Sequence, residues 1–216
     1  MLLRLIIFDL DGTLVDTVQD ITDALNYGLK PYGIKSLTVR DTVEMVGEGI
    51  SRLIEKILSV EKKHLKEDII KRFLEYYSEH LADSSREYPY VKETLEKLKY
   101  LKKAVISNKG ENLSRRLLEK LGIAQYFDLI IGSDTTGEKK PSPMPVLYVV
   151  SKLSVSPQES MIVGDSNYDI EAGKKAGIRT VAVTYGYRAK EFLIGADYLI
   201  GDLKELVSLI TEIEEA

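Results

Sequence analysis

The sequence predicts an α/β fold, in which a doubly wound parallel sheet carries one inserted helical segment. Apolar runs rich in β-branched residues recur along the chain, as expected for strands that helices cover on both faces. Helical patterns separate most of these runs, and this alternation is typical of a parallel sheet. The region 17–83 lacks such runs and shows only helical periodicity. We therefore expect a helical insert after the first strand.

The strands of the sheet are predicted from five apolar runs, the first of which lies almost at the N-terminus. In chain order the runs are 5–8, 104–106, 129–131, 161–163 and 180–183. Amphipathic patterns that predict the helices of the sheet domain lie at 91–101, 113–121, 146–153, 170–176 and 203–213. The last of these patterns follows the final predicted strand and predicts a terminal helix.

The inserted segment is predicted to be a small helical unit. Ile21, Leu25 and Leu29 repeat at four-residue spacing, and two further apolar stripes follow near residues 53–58 and 69–77. Asp16 and Thr17 are suitable N-caps for its first helix. Ser84-Ser85-Arg86 reads as the linker that returns to the sheet. We expect residues 1–16 and 84–216 to form the core and residues 17–83 the helical unit.

Composition limits the classes of function. The 216 residues carry a net charge of -4 with acidic and basic residues mixed, which argues against nucleic acid as a partner. The absence of cysteine excludes disulfides and thiolate metal sites and fits a reducing cytoplasm. The N-terminal apolar run contains Arg4 and ends at Asp9, so it is too short for a signal peptide or a membrane span. We expect a cytoplasmic protein with no membrane partner.

Polar side chains follow several of the predicted strands. Ligands of parallel sheets bind beyond the carboxyl ends of the strands, so such residues are candidates for a site. Those that end the strands or lie in the loops after them are Asp9, Asp11, Ser107, Asn108, Lys140, Asp165 and Asp169. They come from four separate segments, which the sheet would bring to one edge.

These residue types point to phosphoryl transfer. The carboxylates of Asp9 and Asp165 offer the hard oxygen ligands that Mg²⁺ prefers. A carboxylate can form an aspartyl-phosphate once the negative charge of the phosphoryl group is offset, and Mg²⁺ and Lys140 could offset it. A second carboxyl, that of Asp11, can protonate the leaving alkoxide and later activate water.

The spacing of these residues resembles the four motifs of the haloacid dehalogenase superfamily. Residues 9–16, with the sequence DLDGTLVD, resemble its first motif, and Ser107-Asn108 its second. Lys140-Pro141 resembles the third motif, and Gly164-Asp165-Ser166 with Asp169 the fourth. The motifs occur in the family's order and span nearly the whole chain. The resemblance implies a Rossmann-like core and a helical cap of the C1 type at the position of the insert.

The resemblance also implies the roles of the acidic residues. Asp9 would be the nucleophile and Asp11 the general acid and base. Mg²⁺ would be held by Asp9, by the backbone carbonyl of Asp11 and by Asp165. Asp169 would orient this metal site from just outside the ligands. Because dehalogenases of the superfamily lack the second aspartate, Asp11 favours a phosphatase or a phosphomutase.

The same resemblance implies which four residues bind the phosphoryl group. Thr13, Ser107, Asn108 and Lys140 would bind it, and Thr13 would also support the loop that carries Asp11. Ser107-Asn108 could instead cap the next turn, and Lys140 could be a solvated charge. The presence of all four motifs favours the functional interpretation.

Within the superfamily, the chain most resembles phosphoglycolate phosphatases. The segments 46–49, 107–109 and 184–187 carry this resemblance. It implies a Mg²⁺-dependent phosphomonoester hydrolase that acts on a small phosphorylated metabolite. One departure is Tyr90, which stands where relatives usually carry glycine, in a loop that we expect to face the cap.

The loop at Gly47, Glu48 and Gly49 is predicted to close over the substrate, with Glu48 or Arg52 as candidate contacts. An ordinary helix-breaking loop would look the same in the sequence.

Several alternatives remain open from the sequence. The same motifs would serve a β-phosphoglucomutase-like phosphotransferase, a pyrophosphatase or another small-phosphoester phosphatase. A non-enzymatic module that accepts a phosphoryl group would share the acidic Mg²⁺ site, but such receivers are about half this length and lack the insert. The sequence does not distinguish a monomer from a homodimer.

Overall fold

The computed structural model describes residues 2–215, and the backbone divides into two compact units. One unit comprises Met1–Asp16 with Glu87–Ala216, and the other is Thr17–Arg86. The first contains the sheet, and the second is helical. The helical unit closes at Arg86, three residues after the boundary drawn from the sequence, because Ser84 and Ser85 bond to Asp20 within it.

The strands of the chain are short and mostly buried. In order they are β1 (Leu5–Phe8), β2 (Val15–Asp16), β3 (Arg86–Glu87), β4 (Lys102–Ile106), β5 (Leu129–Ile131), β6 (Ser160–Gly164), β7 (Arg179–Val183) and β8 (Tyr198–Ile200). The main sheet has six strands in the order β5-β4-β1-β6-β7-β8, and all of its strand pairs are parallel. The α/β class and the parallel sheet are confirmed.

The helices of the sheet unit lie between its strands along the chain, except the last helix, which follows β8. They are α5 (Val91–Lys97), α6 (Glu111–Lys120), α7 (Met144–Lys152), α8 (Asn167–Ala176) and α9 (Glu205–Glu215). The helical unit contains α1 (Val18–Leu29), α2 (Val39–Met45), α3 (Ile50–Ile57) and α4 (Lys66–Glu79). Helix α5 ends four residues before the predicted Leu101, yet Leu98 and Leu101 are buried beyond its end. Their burial explains why the apolar pattern continued past the helix.

Strand β8 was not predicted. Its three residues pair with β7 at the edge of the sheet, and only Ile200 is buried. A short edge strand buries too little apolar surface to produce a recognisable run in the sequence.

Strand β1 lies at the centre of the sheet, between β4 and β6. Its four side chains are buried, and Leu5 and Ile7 pack with Ala104, Ile106 and Ile162 in one core cluster. The chain proceeds from β1 to one side of the sheet and later returns to the other side at β6. The carboxyl ends of β1, β4 and β6 are therefore adjacent at the switch in strand order, which is where open α/β sheets bind ligands.

The helical unit is held together by apolar packing and by one buried carboxylate. Asp20 in the first turn of α1 is 2% exposed and accepts hydrogen bonds from Ser84 N–H at 2.9 Å and Ser85 N–H at 2.8 Å. The Ser85 hydroxyl donates a third bond at 2.6 Å. Asp20 thus ties the two ends of the helical unit together. Thr17, the predicted cap, occupies the N-cap position of α1 but makes no capping hydrogen bond with its side chain.

Within residues 2–215, no helix combines the length and the apolar character that crossing a membrane requires.

Replacing Asp20 by Ala should lower the free energy of unfolding by about 3 kcal/mol, because three donors lose a charged acceptor and the two on Ser85 are buried. Asp23→Ala on the same helix is the control. Its carboxylate makes only exposed hydrogen bonds to Gln19, so its effect should stay within about 0.5 kcal/mol. Urea unfolding of the two variants measures the difference, and equal losses would contradict the clamp.

Candidate active site

The first motif extends the central strand by one residue before the chain turns. Asp9 N–H donates to Val163 O at 2.9 Å, which continues the ladder between β1 and β6. The loop then closes on itself, since Leu14 and Val15 both donate to Leu10 O at 3.0 Å. Asp9 is consequently fixed at the carboxyl edge of the sheet, where it is 7% exposed.

Gly12 is required in this loop for two reasons. Its φ of +93° is unfavourable for residues with a side chain, and a Cβ there would lie 2.3 Å from Asp165 Oδ2. The first and fourth motifs therefore touch through a glycine. Gly186 lies equally close, since its Cβ would stand 2.3 Å from the Cβ of Asp165.

Lys140 is buried and bonds to three acceptors. Its Nζ lies 2.5 Å from Asp9 Oδ1, 2.6 Å from Asp169 Oδ1 and 2.7 Å from Ile106 O. Since an ammonium has three N–H donors, each acceptor matches one of them. Burial lowers the pKa of Lys140, but the charges of Asp169 and Asp9 outweigh that effect and raise it above the usual value.

Asn108 positions the backbone at Lys140 rather than facing a ligand with its amide. Its Oδ1 accepts Lys140 N–H at 3.0 Å, and its Nδ2 donates to Lys140 O at 2.9 Å. This pair of bonds joins the second motif to the third. A phosphoryl contact from Asn108 would thus have to come from its backbone.

Asp169 connects the third and fourth motifs. One carboxylate oxygen accepts from Lys140, and the other accepts from Ser166 N–H at 3.2 Å and Ser166 Oγ at 2.6 Å. The contacts with Ser166 form the capping box of helix α8. Asp169 is 2% exposed, so its charge depends on Lys140 for compensation.

Three carboxylates form a cluster that could hold a metal ion. Ligand atoms of Asp9, Asp165 and Asp169 lie within 4.8 Å of one another. Burial raises the pKa of Asp9 to about 7; Asp169 and Asp11 also raise it, whereas Lys140 lowers it. Burial first, and then the charges of Asp9 and Asp169, raise the pKa of Asp165 well above its usual range. Three carboxylates against one ammonium leave two negative charges, which a divalent cation would match.

Asp11 has a separate cationic partner. Lys109 Nζ lies 2.5 Å from Asp11 Oδ1, and Ser107 Oγ lies 3.4 Å from Asp11 Oδ2. The sequence pattern assigned no role to Lys109, although it belongs to the segment 107–109 that carried part of the resemblance. Its place directly after Ser107-Asn108 was the only available signal.

Tyrosines surround the first motif, and the sequence pattern predicted no role for them. Tyr185 OH donates to Thr13 O at 2.8 Å, and Tyr187 N–H donates to Asp165 Oδ2 at 2.7 Å. Tyr187 OH also donates to Asp16 Oδ1 at 3.0 Å. Burial, and then the charge of Asp16, raise the pKa of Tyr88, whose ring lies 4.7 Å from that of Tyr185. The repeated tyrosines of the sequence thus support the loop at Asp11 and the carboxylate of Asp165.

Thr13 has a hydroxyl that nothing in the described protein satisfies. The side chain is fully buried, and Oγ1 has no hydrogen-bond partner among residues 2–215. A buried hydroxyl without a partner is costly, so its position beside Asp11 favours a ligand that supplies the missing bond.

The predicted cap residues lie at the start of α3, within the helical unit. Gly47 and Gly49 have φ of +118° and +81°, so the loop needs both glycines. Glu48 pairs with Lys56, and Arg52 Nη1 lies 2.8 Å from Glu55 Oε2. Contact of these residues with a substrate stays a prediction.

Tyr90 fills a position that ordinarily requires glycine. Its φ is 66°, in the left-handed region, which costs about 1–2 kcal/mol for a residue with a side chain. Tyr90 is 43% exposed, and Lys204 Nζ lies over its ring, 4.3 Å from the centroid. The expected glycine would relieve the backbone, whereas Tyr90 gains a cation–π contact.

Comparisons with known proteins find similar sequences and a similar fold. The family model described as haloacid dehalogenase-like hydrolase matches residues 6–183. A phosphoglycolate phosphatase of Aquifex aeolicus is 41% identical over 210 residues, covering 96% of this chain and 97% of that protein. A phosphoglycolate phosphatase of Chromobacterium violaceum is 38% identical, covering 96% of each. The crystal structure of a predicted phosphoglycolate phosphatase from Haemophilus somnus 129PT superposes with a TM-score of 0.88 at 31% identity, covering 96% and 97% of the two chains.

Gly164→Ala should disrupt the site. A Cβ at Gly164 would stand 2.2 Å from Asp169 Cγ, so Asp169 would have to move away from both Lys140 and Ser166. We expect a loss of about 1–3 kcal/mol in the free energy of unfolding, and a loss of activity. The control is Gly110→Ala at the N-cap of α6, where the nearest atom would lie at an ordinary 3.5 Å. Thermal unfolding compares the two, and a tolerated Gly164→Ala would refute the close packing.

Proposed function

The chain belongs to the haloacid dehalogenase-like hydrolase family and is a phosphatase, and we propose that it hydrolyses phosphoglycolate through a phosphorylated Asp9 with Mg²⁺ as cofactor. This proposal rests on the groups that surround Asp9. Its carboxylate is buried beside Lys140 and within 4.8 Å of the ligand atoms of Asp165 and Asp169.

The donor set fits Mg²⁺. Carboxylate oxygens are hard ligands, and the cluster has a formal charge of -2 after Lys140 is counted. Asp9 and Asp165 would hold the ion together with the backbone carbonyl of Asp11, and Asp169 would hold Lys140 and the start of α8 in place. When bound, Mg²⁺ would supply positive charge that reduces repulsion between Asp9 and a phosphoryl group.

The first half of the reaction would transfer the phosphoryl group to Asp9. Because Lys140 donates a hydrogen bond to Asp9 Oδ1, we assign the attack on phosphorus to Asp9 Oδ2. As the new bond forms, the bond between phosphorus and the substrate's ester oxygen breaks. Asp11 would deliver its proton to that oxygen, and the alcohol would leave as glycolate.

The second half would regenerate the enzyme. Asp11, now a carboxylate, would take a proton from a water molecule as that water attacks phosphorus. The bond from phosphorus to Asp9 would break, releasing inorganic phosphate and restoring the free carboxylate. A single residue would thus serve as acid and then as base.

The phosphoryl oxygens have donors close to Asp9. Ser107 Oγ lies at the end of β4, next to β1, and the buried Thr13 hydroxyl has no partner within residues 2–215. A phosphoryl oxygen would supply the acceptor that Thr13 is missing. Lys140 could contact a phosphoryl oxygen only by giving up one of its three hydrogen bonds within the protein.

The choice of substrate rests on similarity rather than on a site for the glycolate moiety. Relatives named phosphoglycolate phosphatase are similar over nearly the full chain. The cysteine-free sequence also supports action in a reducing cytoplasm.

Asp9→Asn should abolish phosphate release from phosphoglycolate, because the amide is a far weaker nucleophile and cannot form the acyl phosphate. The fold should persist, since the amide oxygen can still accept from Lys140. Phosphate release from a panel of phosphoglycolate, hexose phosphate and pyrophosphate measures activity and selectivity. Wild-type turnover by Asp9→Asn would exclude Asp9 as the nucleophile. A preference for another phosphate compound of the panel would exclude only phosphoglycolate as the substrate.

Mg²⁺ should raise the melting temperature of the wild-type protein, by an amount that grows with its concentration. At about 100 times the dissociation constant, the gain should be about 2.7 kcal/mol. Asp165→Asn should lose most of this gain, whereas its amide oxygen can still accept Tyr187 N–H. Asp23→Asn changes an exposed residue of α1 and is the control. Its melting temperature should respond to Mg²⁺ as that of the wild type does. An undiminished response of Asp165→Asn would remove Asp165 from the metal site.

A further inference from the structure

Lys109 has a backbone that the fold fixes on both sides. Its N–H donates to Ser107 Oγ at 3.1 Å, and its carbonyl accepts Ser133 N–H at 3.0 Å. It follows Asn108, whose side chain is bonded to the backbone of Lys140. The side chain of Lys109 therefore begins from a defined point at the end of β4.

The side chain of Lys109 is directed at Asp11. The two form an ion pair at 2.5 Å, with side chains 9% and 14% exposed. Ser107 Oγ approaches the other oxygen of Asp11 at 3.4 Å, so each carboxylate oxygen faces a donor. An ion pair this enclosed adds little net stability, because removing both charges from water offsets their attraction. Stability is therefore a weak explanation for it.

The two lysines of the site have different acidic partners. Lys140 bonds to Asp9 and Asp169, whereas Lys109 bonds to Asp11. Lys140 belongs to the third motif of the family resemblance, but the role of Lys109 is given by neither the motifs nor the mechanism derived above.

We propose that Lys109 is a positioning residue that holds the Asp11 carboxyl in the orientation needed to deliver its proton to the departing alkoxide. This inference rests on the proposed role of Asp11. The proton passes from Asp11 to the ester oxygen as its bond to phosphorus breaks, and Lys109 keeps its own protons throughout. A carboxyl that can rotate freely would spend less time aligned with that oxygen, and misplacement by about 1 Å can cost about 100-fold in rate.

Substrates with different leaving groups separate this role from the others. Ethyl phosphate and phosphoglycolate release alkoxides, which need a proton, whereas p-nitrophenyl phosphate releases a phenolate that is stable without one. Only phosphoglycolate carries a carboxylate. The ratio kcat/KM reports the steps up to release of the alcohol, so it isolates the half-reaction in which Asp11 acts as an acid.

The variant Lys109→Met removes the charge and keeps a similar chain length. We expect kcat/KM to fall by about 10–100-fold for phosphoglycolate and ethyl phosphate alike, and by less than about threefold for p-nitrophenyl phosphate. Lys109→Arg should recover part of the loss, because it restores a cationic donor to Asp11. Lys120→Met on the exposed end of α6 is the matched control and should leave all three values unchanged.

A double-variant cycle gives a second measurement. In an Asp11→Asn background, Lys109→Met should have little further effect on ethyl phosphate, because the group that it positions is already gone. Additive losses would overturn the proposal. If Lys109→Met proves unstable, Lys109→Gln takes its place in the substrate comparison and in the cycle.

Other outcomes would overturn the proposal in distinct ways. Equal losses for the three substrates would assign Lys109 to the phosphoryl group or to the fold. A rise in KM confined to phosphoglycolate would assign it to the substrate's carboxylate. If the wild-type protein hydrolysed p-nitrophenyl phosphate and ethyl phosphate but not phosphoglycolate, the proposed substrate would fail, while the leaving-group comparison would still test Lys109.

Discussion

The structure of the site depends on the compensation of buried carboxylates by a single ammonium. Asp9, Asp165 and Asp169 lie close together with little access to water, and Lys140 bonds to two of them. In a medium of low dielectric constant, carboxylates at this separation repel one another strongly. The raised pKa of Asp9 and Asp165 is the consequence of that repulsion and of burial. The same arrangement attracts a divalent cation, since one ammonium cannot neutralise three carboxylates.

Neighbouring groups keep this unfavourable cluster in place. Gly12 and Gly186 let the first and fourth motifs approach without a Cβ between them, and Gly164 leaves room for Asp169 within the fourth. Asn108 bonds to the backbone of Lys140, and Ser166 bonds to Asp169 at the start of α8. The contacts of Asn108 and Lys140 join different motifs, so the position of any one side chain in the site depends on several others. Preorganisation of this kind places charge before the reaction begins, which is how such sites lower a barrier.

Lys109 and the tyrosines hold Asp11, the proposed general acid, in a comparable way. Asp11 pairs with Lys109, and Tyr185 supports the adjacent loop through Thr13. Asp9 and Asp11 therefore have separate electrostatic environments. The proposed nucleophile and the proposed acid lie only two residues apart, and they could keep different tasks because neither shares its cation with the other.

The sequence by itself determined the α/β class, the main strands and the residues at their carboxyl ends. Buried strands need continuous apolar runs, and reactive residues need chemistry that a core would not tolerate, so both leave local signals. Edge strand β8, the cation beneath which Tyr90 packs, and the Asp20 contacts that carry the helical unit to Arg86 left no such signal. The partners of the two lysines did not either, since Lys109 meets Asp11 across 98 positions and Lys140 meets Asp9 across 131. Only the tertiary structure decided these pairings, because the distance between two side chains is set by how the strands assemble and not by their separation along the chain.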